Sequence, residues 1–392
     1  MARNPLQELH DAGQSIWLDY IDRSLLSSGE LTRRITRDAI TGMTSNPTIF
    51  EKALAEGHAY DEQVARADPE LTPWQLFELI ETDDVRAACD LFRPVYDATS
   101  GGDGFVSIEV SPAAANDAES TVTEAHRLWE MVSRPNVMIK VPGTEQGAIA
   151  VRRLIGDGVN VNITLLFSLD AYARVIDAYL GGLEDRARTG HPLSGIGSVA
   201  SFFVSRVDTE VDKRLQVLAP GAEPARARRL SALAGRAAVA NAKLAYELFR
   251  SRFSGSRWQA LATRGARLQR PLWASTSAKN PEYRDVMYVE ELIGPDTVNT
   301  MPPATIEAFR DHGIAARTVD ANVNDARAVI AELESLGIGM REVTDKLLVD
   351  GIARFRSSFD GLIARLDERT RDAGRGTRDA RRGMRDATSL RG

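Results

Sequence analysis

The stretch Val137-Met138-Ile139-Lys140-Val141-Pro142 is an apolar run, rich in β-branched residues, with a single charged side chain. In the segment that follows, Glu145–Ile155, apolar residues recur at helical spacing, and a second apolar run covers Val159–Phe167. A strand, a helix and another strand in this order predict a parallel βαβ unit.

The same alternation extends over most of the 392 residues. Apolar runs bounded by Gly, Pro or Ser predict eight strands, at Ser15–Tyr20, Ala39–Asn46, Phe105–Ser111, Val137–Pro142, Val159–Phe167, Ile196–Val204, Pro271–Ser277 and Thr297–Met301. Helical patterns separate or follow them at Pro73–Tyr96, Ser120–Val132, Glu145–Ile155, Leu169–Arg188, Asp208–Leu218, Ala225–Phe253, Asp325–Leu336 and Met340–Leu366.

Eight strands alternating with helices favour an α/β fold of the (β/α)₈ TIM-barrel type, with extra helices, over residues 1–366. An open, doubly wound sheet is the alternative. It would call for a glycine-rich turn after the first strand, whereas here that strand ends in Asp19-Tyr20-Ile21-Asp22. The sequence therefore predicts the closed barrel.

The C-terminal residues 367–392 differ in composition from the rest. They contain eight Arg, five Asp or Glu and four Gly, and their large apolar residues are Met384 and Leu390 alone. Such a segment buries too little apolar surface to offset the entropy of ordering it. We expect an Arg-rich disordered tail.

Composition narrows the class of protein. The formal net charge is −6, 43% of the residues are hydrophobic, and Cys89 is the one cysteine. This composition disfavours bulk nucleic-acid binding and an internal disulfide framework. Since no apolar run is long enough for a membrane span and residues 1–5 lack the apolar segment of a signal peptide, we expect a cytoplasmic protein without membrane partners. The five histidines show no metal-ligand spacing, so we expect neither a metal nor another cofactor.

Strand alternation predicts where Lys140 points. Val137, Ile139 and Val141 are apolar and would face the helices, so Lys140 would point into the barrel near the end of its strand. Active sites of such barrels lie at the C-terminal ends of the strands. A lysine in an apolar interior loses hydration, which lowers its pKa and frees an amine for attack on a carbonyl.

Alternation on five other strands turns polar side chains toward the same end of the interior, namely Asp19, Asn46, Glu109, Thr164 and Ser275. Asp19 and Glu109 would supply general acid and base groups for Schiff-base chemistry. Each residue also has a structural interpretation. A strand lysine is most often at an edge or facing solvent, Asp19 could be a capping carboxylate, and Glu109 could simply pair with Lys140 in a buried ion pair.

At these residues the sequence resembles the transaldolases, class I Schiff-base enzymes of the pentose phosphate pathway, and most closely their longer bacterial subfamily. The resemblance runs from about Pro5 to Leu366. It is carried by seven blocks in the family's order, which are Ser15–Asp19, Thr44–Phe50, Ser107–Val110, Ile139–Thr144, Asn160–Leu165, Ala200–Arg206 and Ala274–Pro281.

The resemblance implies a role for each matching residue. Lys140 would form the imine, Asp19 would take the proton whose loss drives carbon–carbon cleavage, and Glu109 with Thr164 would hold the water of imine formation and hydrolysis. The remaining matches would bind substrate: Asn46, Asn162 and Ser201 the hydroxyls of the three-carbon unit, and Arg206 with Ser275 the phosphate. The implied partners are sugar phosphates, and a monomer or homodimer is expected.

The sequence departs from the family pattern at the phosphate end. Many transaldolases carry a second arginine two residues after the serine that Ser275 matches, where this chain has Ser277. Lys279 could supply that charge or could be a solvent-facing lysine. Ser205, next to Arg206, stands where the family often has glycine.

Two other functions compete with transaldol transfer. A related Schiff-base aldolase would release free dihydroxyacetone, but those relatives are much shorter and typically carry glutamine and tyrosine where this chain has Glu109 and Phe203. A binding protein built on an inactive barrel, with the Arg-rich tail holding an acidic partner, is the alternative from another class. The presence of Lys140, Asp19 and Glu109 together argues against it.

Overall fold

The computed structural model describes residues 4–56, 59–68 and 70–389, with the side chains of residues 47, 52, 54–56 and 372–389 left out. Eight parallel strands close into one barrel in sequence order. They are β1 Gln14–Asp19, β2 Ile40–Thr44, β3 Val106–Glu109, β4 Val137–Pro142, β5 Val161–Leu166, β6 Ser198–Phe203, β7 Gln269–Ala274 and β8 Thr297–Met301. The predicted TIM barrel and all eight strands are confirmed.

The helices surround the barrel and extend beyond it. They are α1 Pro5–Asp11, α2 Arg23–Ser27, α3 Glu30–Arg37, α4 Pro47–Glu56, α5 Asp61–Arg66, α6 Pro73–Ala98, α7 Ala118–Val132, α8 Glu145–Asp157, α9 Leu169–Arg188, α10 Ser205–Leu218, α11 Pro224–Ser231, α12 Ala237–Arg252, α13 Ser256–Ala262, α14 Met287–Glu290, α15 Pro303–His312, α16 Val323–Ser335 and α17 Met340–Ser389. A 3₁₀ turn covers Pro112–Asn116. Within the described ranges, no helix is both long and apolar enough to cross a membrane.

The helix predicted over Ala225–Phe253 is two helices, α11 and α12. Between them Gly235 adopts a φ of +70°, and a Cβ there would lie 2.7 Å from the ring of Tyr283. A left-handed residue ends a helical run. The continuous apolar spacing of this segment concealed the break.

The lower part of the barrel interior is filled by seven buried side chains, one or two from most strands: Trp17, Phe105, Met138, Val199, Leu272, Ala274 and Val298. Trp17 fits because the neighbouring strand has a glycine, since a Cβ at Gly42 would lie 2.5 Å from the indole nitrogen. This layer closes the barrel from below. Polar side chains that point into the barrel from the same strands therefore lie above this layer, at the C-terminal ends of the strands.

The last helix runs through the predicted domain boundary at residue 366. Asp367 and Arg371 belong to α17 and pair with each other at 2.6 Å. For residues 372–389 of the predicted tail the side chains lie outside what the structure describes, and residues 390–392 lie outside it altogether. The division into a barrel over 1–366 and a tail over 367–392 stays a prediction.

A buried carboxylate holds α10 in place behind the barrel mouth. Asp208 accepts a hydrogen bond from the backbone N–H of Ala238 at 2.7 Å and another from the hydroxyl of Tyr288 at 2.9 Å. Burial raises the pKa of Asp208 to about 7, the two hydrogen bonds lower it in part, and the nearby carboxylate of Asp212 raises it further. The folded state thus binds the Asp208 proton more tightly than the unfolded chain does.

From this shift we predict that replacing Asp208 changes how stability depends on pH. The unfolded chain releases this proton near pH 3.8 and the folded chain at about 7, so the free energy of unfolding falls as the pH rises through this window. Asp208→Asn cannot ionise and keeps both contacts, with Oδ1 accepting from the N–H of Ala238 and Nδ2 donating to the hydroxyl oxygen of Tyr288. Relative to the wild type it should gain up to roughly 4 kcal/mol by pH 8 and almost nothing below pH 4.

Urea unfolding at several pH values measures the effect, with the exposed Asp360→Asn as the matched control. A wild-type minus variant difference that stays constant from pH 4 to pH 8 would show that Asp208 is ionised throughout.

Candidate active site

Lys140 lies inside the barrel, as strand alternation predicted. It is on β4, 7% exposed, and its Nζ donates hydrogen bonds to the carbonyl oxygen of Ser45 at 2.9 Å and to Oε2 of Glu109 at 3.3 Å. Parallel pairing of β3 with β4 puts Glu109 directly opposite Lys140. A buried ammonium needs such partners, because an unpaired charge is costly to remove from water.

Glu109 is the carboxylate that shares this ion pair, with only 7% of its side chain exposed. Burial raises the pKa of Glu109, the Lys140 ammonium lowers it in part, and the charge of Asp19 raises it further. The net direction is upward. Glu109 thus holds a proton more readily than an ordinary glutamate, which suits a proton donor.

Asp19 ends β1 on the other side of Lys140 and has more hydrogen-bond donors around it. Its Oδ1 accepts from the hydroxyl of Thr44 at 2.9 Å, and Nδ2 of Asn46 lies 3.5 Å away. Burial raises the pKa of Asp19, while the charge of Lys140, the two donors and the charge of Arg206 all lower it, and the net direction is upward, as for Glu109. The donors orient the carboxylate toward the centre of the mouth.

A row of hydrogen bonds crosses the interior beside Lys140. Nδ2 of Asn162 donates to the hydroxyl of Ser107 at 2.9 Å, and Oδ1 of Asn162 accepts from the hydroxyl of Ser201 at 2.7 Å. All three are buried, and β4–β5 pairing puts Asn162 opposite Lys140. The row fixes the amide with its oxygen toward β6 and its nitrogen toward β3, next to the lysine.

Thr164 is buried, two residues after Asn162 on β5 and therefore on the same side of that strand. Its backbone is fixed because the carbonyl oxygen accepts from the N–H of Gly143 at 2.7 Å. The position agrees with the predicted inward side chain. A water held jointly by Thr164 and Glu109 stays a prediction.

Phe203 and Arg206 form the far rim of the mouth, at the end of β6 and the start of α10. The guanidinium carbon of Arg206 lies 4.9 Å above the centre of the Phe203 ring, and that ring packs against Phe167 at 5.2 Å. A cation over an aromatic face is attracted by the ring. The stacking holds the half-buried arginine in place without occupying its N–H donors.

The alternation predicted for Ser275 is wrong. Leu272 and Ala274 occupy the interior, β7 ends at Ala274, and Ser275 has a φ of +57°, so the regular strand does not reach it. The left-handed turn nevertheless brings the hydroxyl of Ser275 to 3.0 Å from the hydroxyl of Ser205. Ser275 thus lies beside the start of α10, next to Arg206, by a different route.

Lys279 is exposed, and its Nζ donates to the hydroxyl of Ser277 at 2.7 Å. In the part of the chain that the structure describes, no contact joins it to Arg206 or Ser275. The structure therefore brings ten of the eleven predicted site residues to the mouth or its rim and leaves Lys279 on the outside, bound to its own loop.

Sequence reasoning missed two partners of this site. The hydroxyl of Thr300, on β8, lies 2.6 Å from that of Thr44 and limits how Thr44 turns toward Asp19. Strand alternation would have found it, because Val298 on the same strand faces the interior. The carbonyl of Ser45, which accepts from Lys140, carries no side-chain signal and could not have been found from residue types.

Comparisons with known proteins agree with this geometry. Residues 16–366 match the family model described as transaldolase/fructose-6-phosphate aldolase. The transaldolase of Thermobifida fusca is 49% identical over 93% of this chain and 98% of its own length. Transaldolase 1 of Streptomyces avermitilis is 48% identical over 94% and 96%, and transaldolase 2 of a Nostoc species is 46% identical over 95% and 99%, respectively.

The family match covers nearly the whole barrel, including the buried lysine and the two carboxylates, and the relatives named here are transaldolases at 46–49% identity. The chain belongs to the transaldolase/fructose-6-phosphate aldolase family and is an enzyme of the transaldolase type.

Proposed function

We propose that this chain transfers a dihydroxyacetone unit from sedoheptulose 7-phosphate to glyceraldehyde 3-phosphate, giving erythrose 4-phosphate and fructose 6-phosphate, through a Schiff base on Lys140. The observation that carries the proposal is the position of the Lys140 Nζ. It lies buried at the carboxyl ends of the strands, 3.3 Å from Glu109, and its charge partly offsets the rise that burial causes in the pKa of Asp19.

Imine formation requires Lys140 as a free amine and an acid nearby. Passing the ammonium proton to Glu109 supplies both in one step, because burial already raises the pKa of Glu109. The amine then adds to the C2 carbonyl of the ketose. One proton of the added nitrogen passes to the oxygen and Glu109 returns the second, so that the oxygen leaves as water and the product is a protonated imine.

Cleavage of the C3–C4 bond then requires a base for the C4 hydroxyl. Asp19 takes that proton, C4 becomes the aldehyde carbon of the released aldose, and the bonding electrons move into the imine to give an enamine on Lys140. The donors on Asp19, Thr44 and Asn46, keep it more ionised than burial alone would allow. Burial raises the pKa of both carboxylates, so we assign Asp19 as the base and Glu109 as the acid on the two donors that Asp19 has in addition to the lysine charge.

The enamine must stay bound until the acceptor aldehyde arrives. Asn46, Asn162 and Ser201 are within reach of the three-carbon unit around Lys140, and the Ser107–Asn162–Ser201 row presents fixed amide and hydroxyl groups for its oxygens. Reversal of the same steps joins it to glyceraldehyde 3-phosphate. Holding the unit distinguishes transfer from release of free dihydroxyacetone, the alternative that the shared family name leaves open and that the transaldolase relatives disfavour.

Partners and location follow from the reaction. Sugar phosphates are the partners, a monomer or homodimer suffices because every proposed residue lies in one chain, and a cytoplasmic location fits the substrates. Arg206 and Ser275 hold the phosphate end, at the rim opposite β1.

We predict that borohydride reduction in the presence of fructose 6-phosphate attaches a three-carbon adduct to the peptide containing Lys140. Lys243 serves as the internal control, because it is equally buried, at 6% exposure, but is paired with Glu291 outside the barrel mouth. Peptide mass mapping locates the adduct. Finding it on Lys243 or Lys279 would rule out the proposed nucleophile.

Cleavage and imine formation should separate between the two carboxylates. Asp19→Ala should still form an imine, but reduction should trap the intact six-carbon ketose phosphate, since the C4 proton has no acceptor. Glu109→Gln should slow formation of any adduct, because the amide cannot exchange a proton with Lys140. Positioned proton transfer contributes roughly 10²–10⁴-fold, and losses below tenfold in both variants, measured by adduct mass and rate, would contradict these roles.

The base strength of Asp19 should depend on Thr44. Thr44→Val keeps the shape of the side chain but removes the hydrogen bond that lowers the pKa of Asp19. The acidic limb of the kcat/KM profile should therefore move to higher pH, by roughly 1–2 units for a hydrogen bond to a charged group.

Thr300→Val is the matched control, because it removes the neighbour of Thr44 but leaves its bond to Asp19. Its acidic limb should move less. An equal shift in both variants would mean that packing, rather than the bond to Asp19, sets the profile.

A further inference from the structure

The last helix brings a second arginine to the phosphate end of the site. Glu342, Lys346, Asp350 and Arg354 form one i, i+4 row along α17, and Arg206, Glu210 and Arg214 form such a row along α10. Glu342 lies 3.5 Å from Arg214, and Lys346 lies 3.6 Å from Glu210. The two helices are thus antiparallel here, because a residue one turn later on α17 pairs with a residue one turn earlier on α10.

Continuing this antiparallel pairing takes α17 toward Arg206. The first two pairs join opposite charges, and Asp350 is held by Lys346 at 2.5 Å. By this register Asp350 comes opposite Arg206, and Arg354 lies one turn further along α17, past the start of α10. The row on α17 therefore reaches the rim of the mouth with an arginine, whose charge acts on Arg206.

Contacts on either side of Arg354 show that this part of α17 crosses the mouth. One turn before it, a Cβ at Gly351 would lie 3.1 Å from Leu165, at the end of β5. One turn after it, the hydroxyl of Ser358 lies 2.8 Å from that of Thr48, in the helix that follows β2. Arg354 lies between these two anchor points, over the carboxyl ends of the strands.

Asp350, the carboxylate one turn before Arg354, is bound by Lys346, and the hydrogen bond from Lys346 and the charge of Arg354 both lower its pKa. Among the described residues, no carboxylate lies within salt-bridge distance of Arg206 or Arg354. Burial lowers the pKa of Arg206, and the like charge of Arg354 lowers it further, whereas the charge of Asp19 raises it. Lys279 has no such effect on Arg206. Two facing guanidinium groups repel each other unless an anion lies between them, and each offers donors in a fork that fits phosphate oxygens.

We propose that Arg354 is the second phosphate-binding cation of this enzyme, acting with Arg206 and Ser275 in place of the arginine that the chain lacks at Ser277. The inference rests on the proposed transaldolase function. It concerns specificity for phosphorylated substrates. The second positive charge at the phosphate would come from the C-terminal helix α17 and not from the loop after β7. Lys279 is then a loop residue that neutralises no substrate charge.

The test compares Arg354→Ala with the matched control Arg356→Ala, because Arg356 is exposed like Arg354 and lies two residues further along the same helix. KM for fructose 6-phosphate should rise about 10- to 100-fold in Arg354→Ala, since a hydrogen bond to a charged group contributes roughly 1.5–3 kcal/mol. The kcat value, and kcat/KM for unphosphorylated fructose, should stay within about twofold. Competitive inhibition by inorganic phosphate should weaken in parallel, and Arg354→Lys should restore part of it.

Borohydride trapping on Lys140 is run with every variant, so that a failure of the function is separated from a failure of this inference. Normal trapping with unchanged KM and unchanged phosphate inhibition in Arg354→Ala would overturn the role of Arg354 alone. A phosphate-specific loss in Lys279→Ala without one in Arg354→Ala would show that the second phosphate-binding cation is Lys279, in the loop after β7. Equal losses in Arg354→Ala and Arg356→Ala would show that the loss of any positive charge on α17 has the same effect, and this would overturn the proposal as well.

Discussion

The ion pair between Lys140 and Glu109 is the interaction on which the rest of the site depends. An ammonium can stay inside a barrel of this kind only where groups that accept its hydrogen bonds reach it. Here one is a side chain on the neighbouring strand and the other is the backbone carbonyl of Ser45, directly after β2. Both need the barrel to be closed with its strands in one fixed register. The chemistry thus requires the register, and the apolar layer below the lysine, around Trp17, maintains it.

How much of this could be read from the sequence differs between local and distant features. Strand alternation located Lys140, Asp19 and Glu109 because a period of two fixes which side of the sheet a residue faces. It failed at Ser275, where a left-handed φ interrupts the strand and side chains no longer alternate. Short polar helices such as α2, α3 and α5 were missed because they lack a sustained apolar stripe and are held by the elements they touch.

The phosphate end shows the limit of sequence reasoning most clearly. Lys279 was a natural candidate because it lies close in sequence to the missing arginine, yet its ammonium is bound to Ser277 on the outside of the mouth. Arg354 is 148 positions beyond Arg206 in the chain. Nothing in its local pattern distinguishes it from the other arginines of α17. Only the antiparallel course of α17 along α10 brings it to the rim, and tertiary pairing of this kind leaves no periodic signal.

The electrostatic balance of the site also explains why it needs two carboxylates in unlike surroundings. In the proposed mechanism Lys140 carries a positive charge as the ammonium, loses it as the attacking amine and regains it as the protonated imine. Whenever that charge is absent, Asp19 and Glu109 lose the cation that lowers the pKa of both. Two buried carboxylates close together cannot both remain ionised at little cost. One of them must take up the proton.

Hydrogen bonds decide which carboxylate takes it. Among the residues that the structure describes, Asp19 has Thr44 and Asn46 as donors and a further cation in Arg206, whereas the hydrogen-bond donor to Glu109 is Lys140 alone. In the proposed mechanism the proton that Lys140 gives up therefore goes to Glu109, which uses it to expel water, and Asp19 is the carboxylate kept for the cleavage step. Different surroundings for like groups thus keep the net charge of the buried site constant while the charge on the lysine changes.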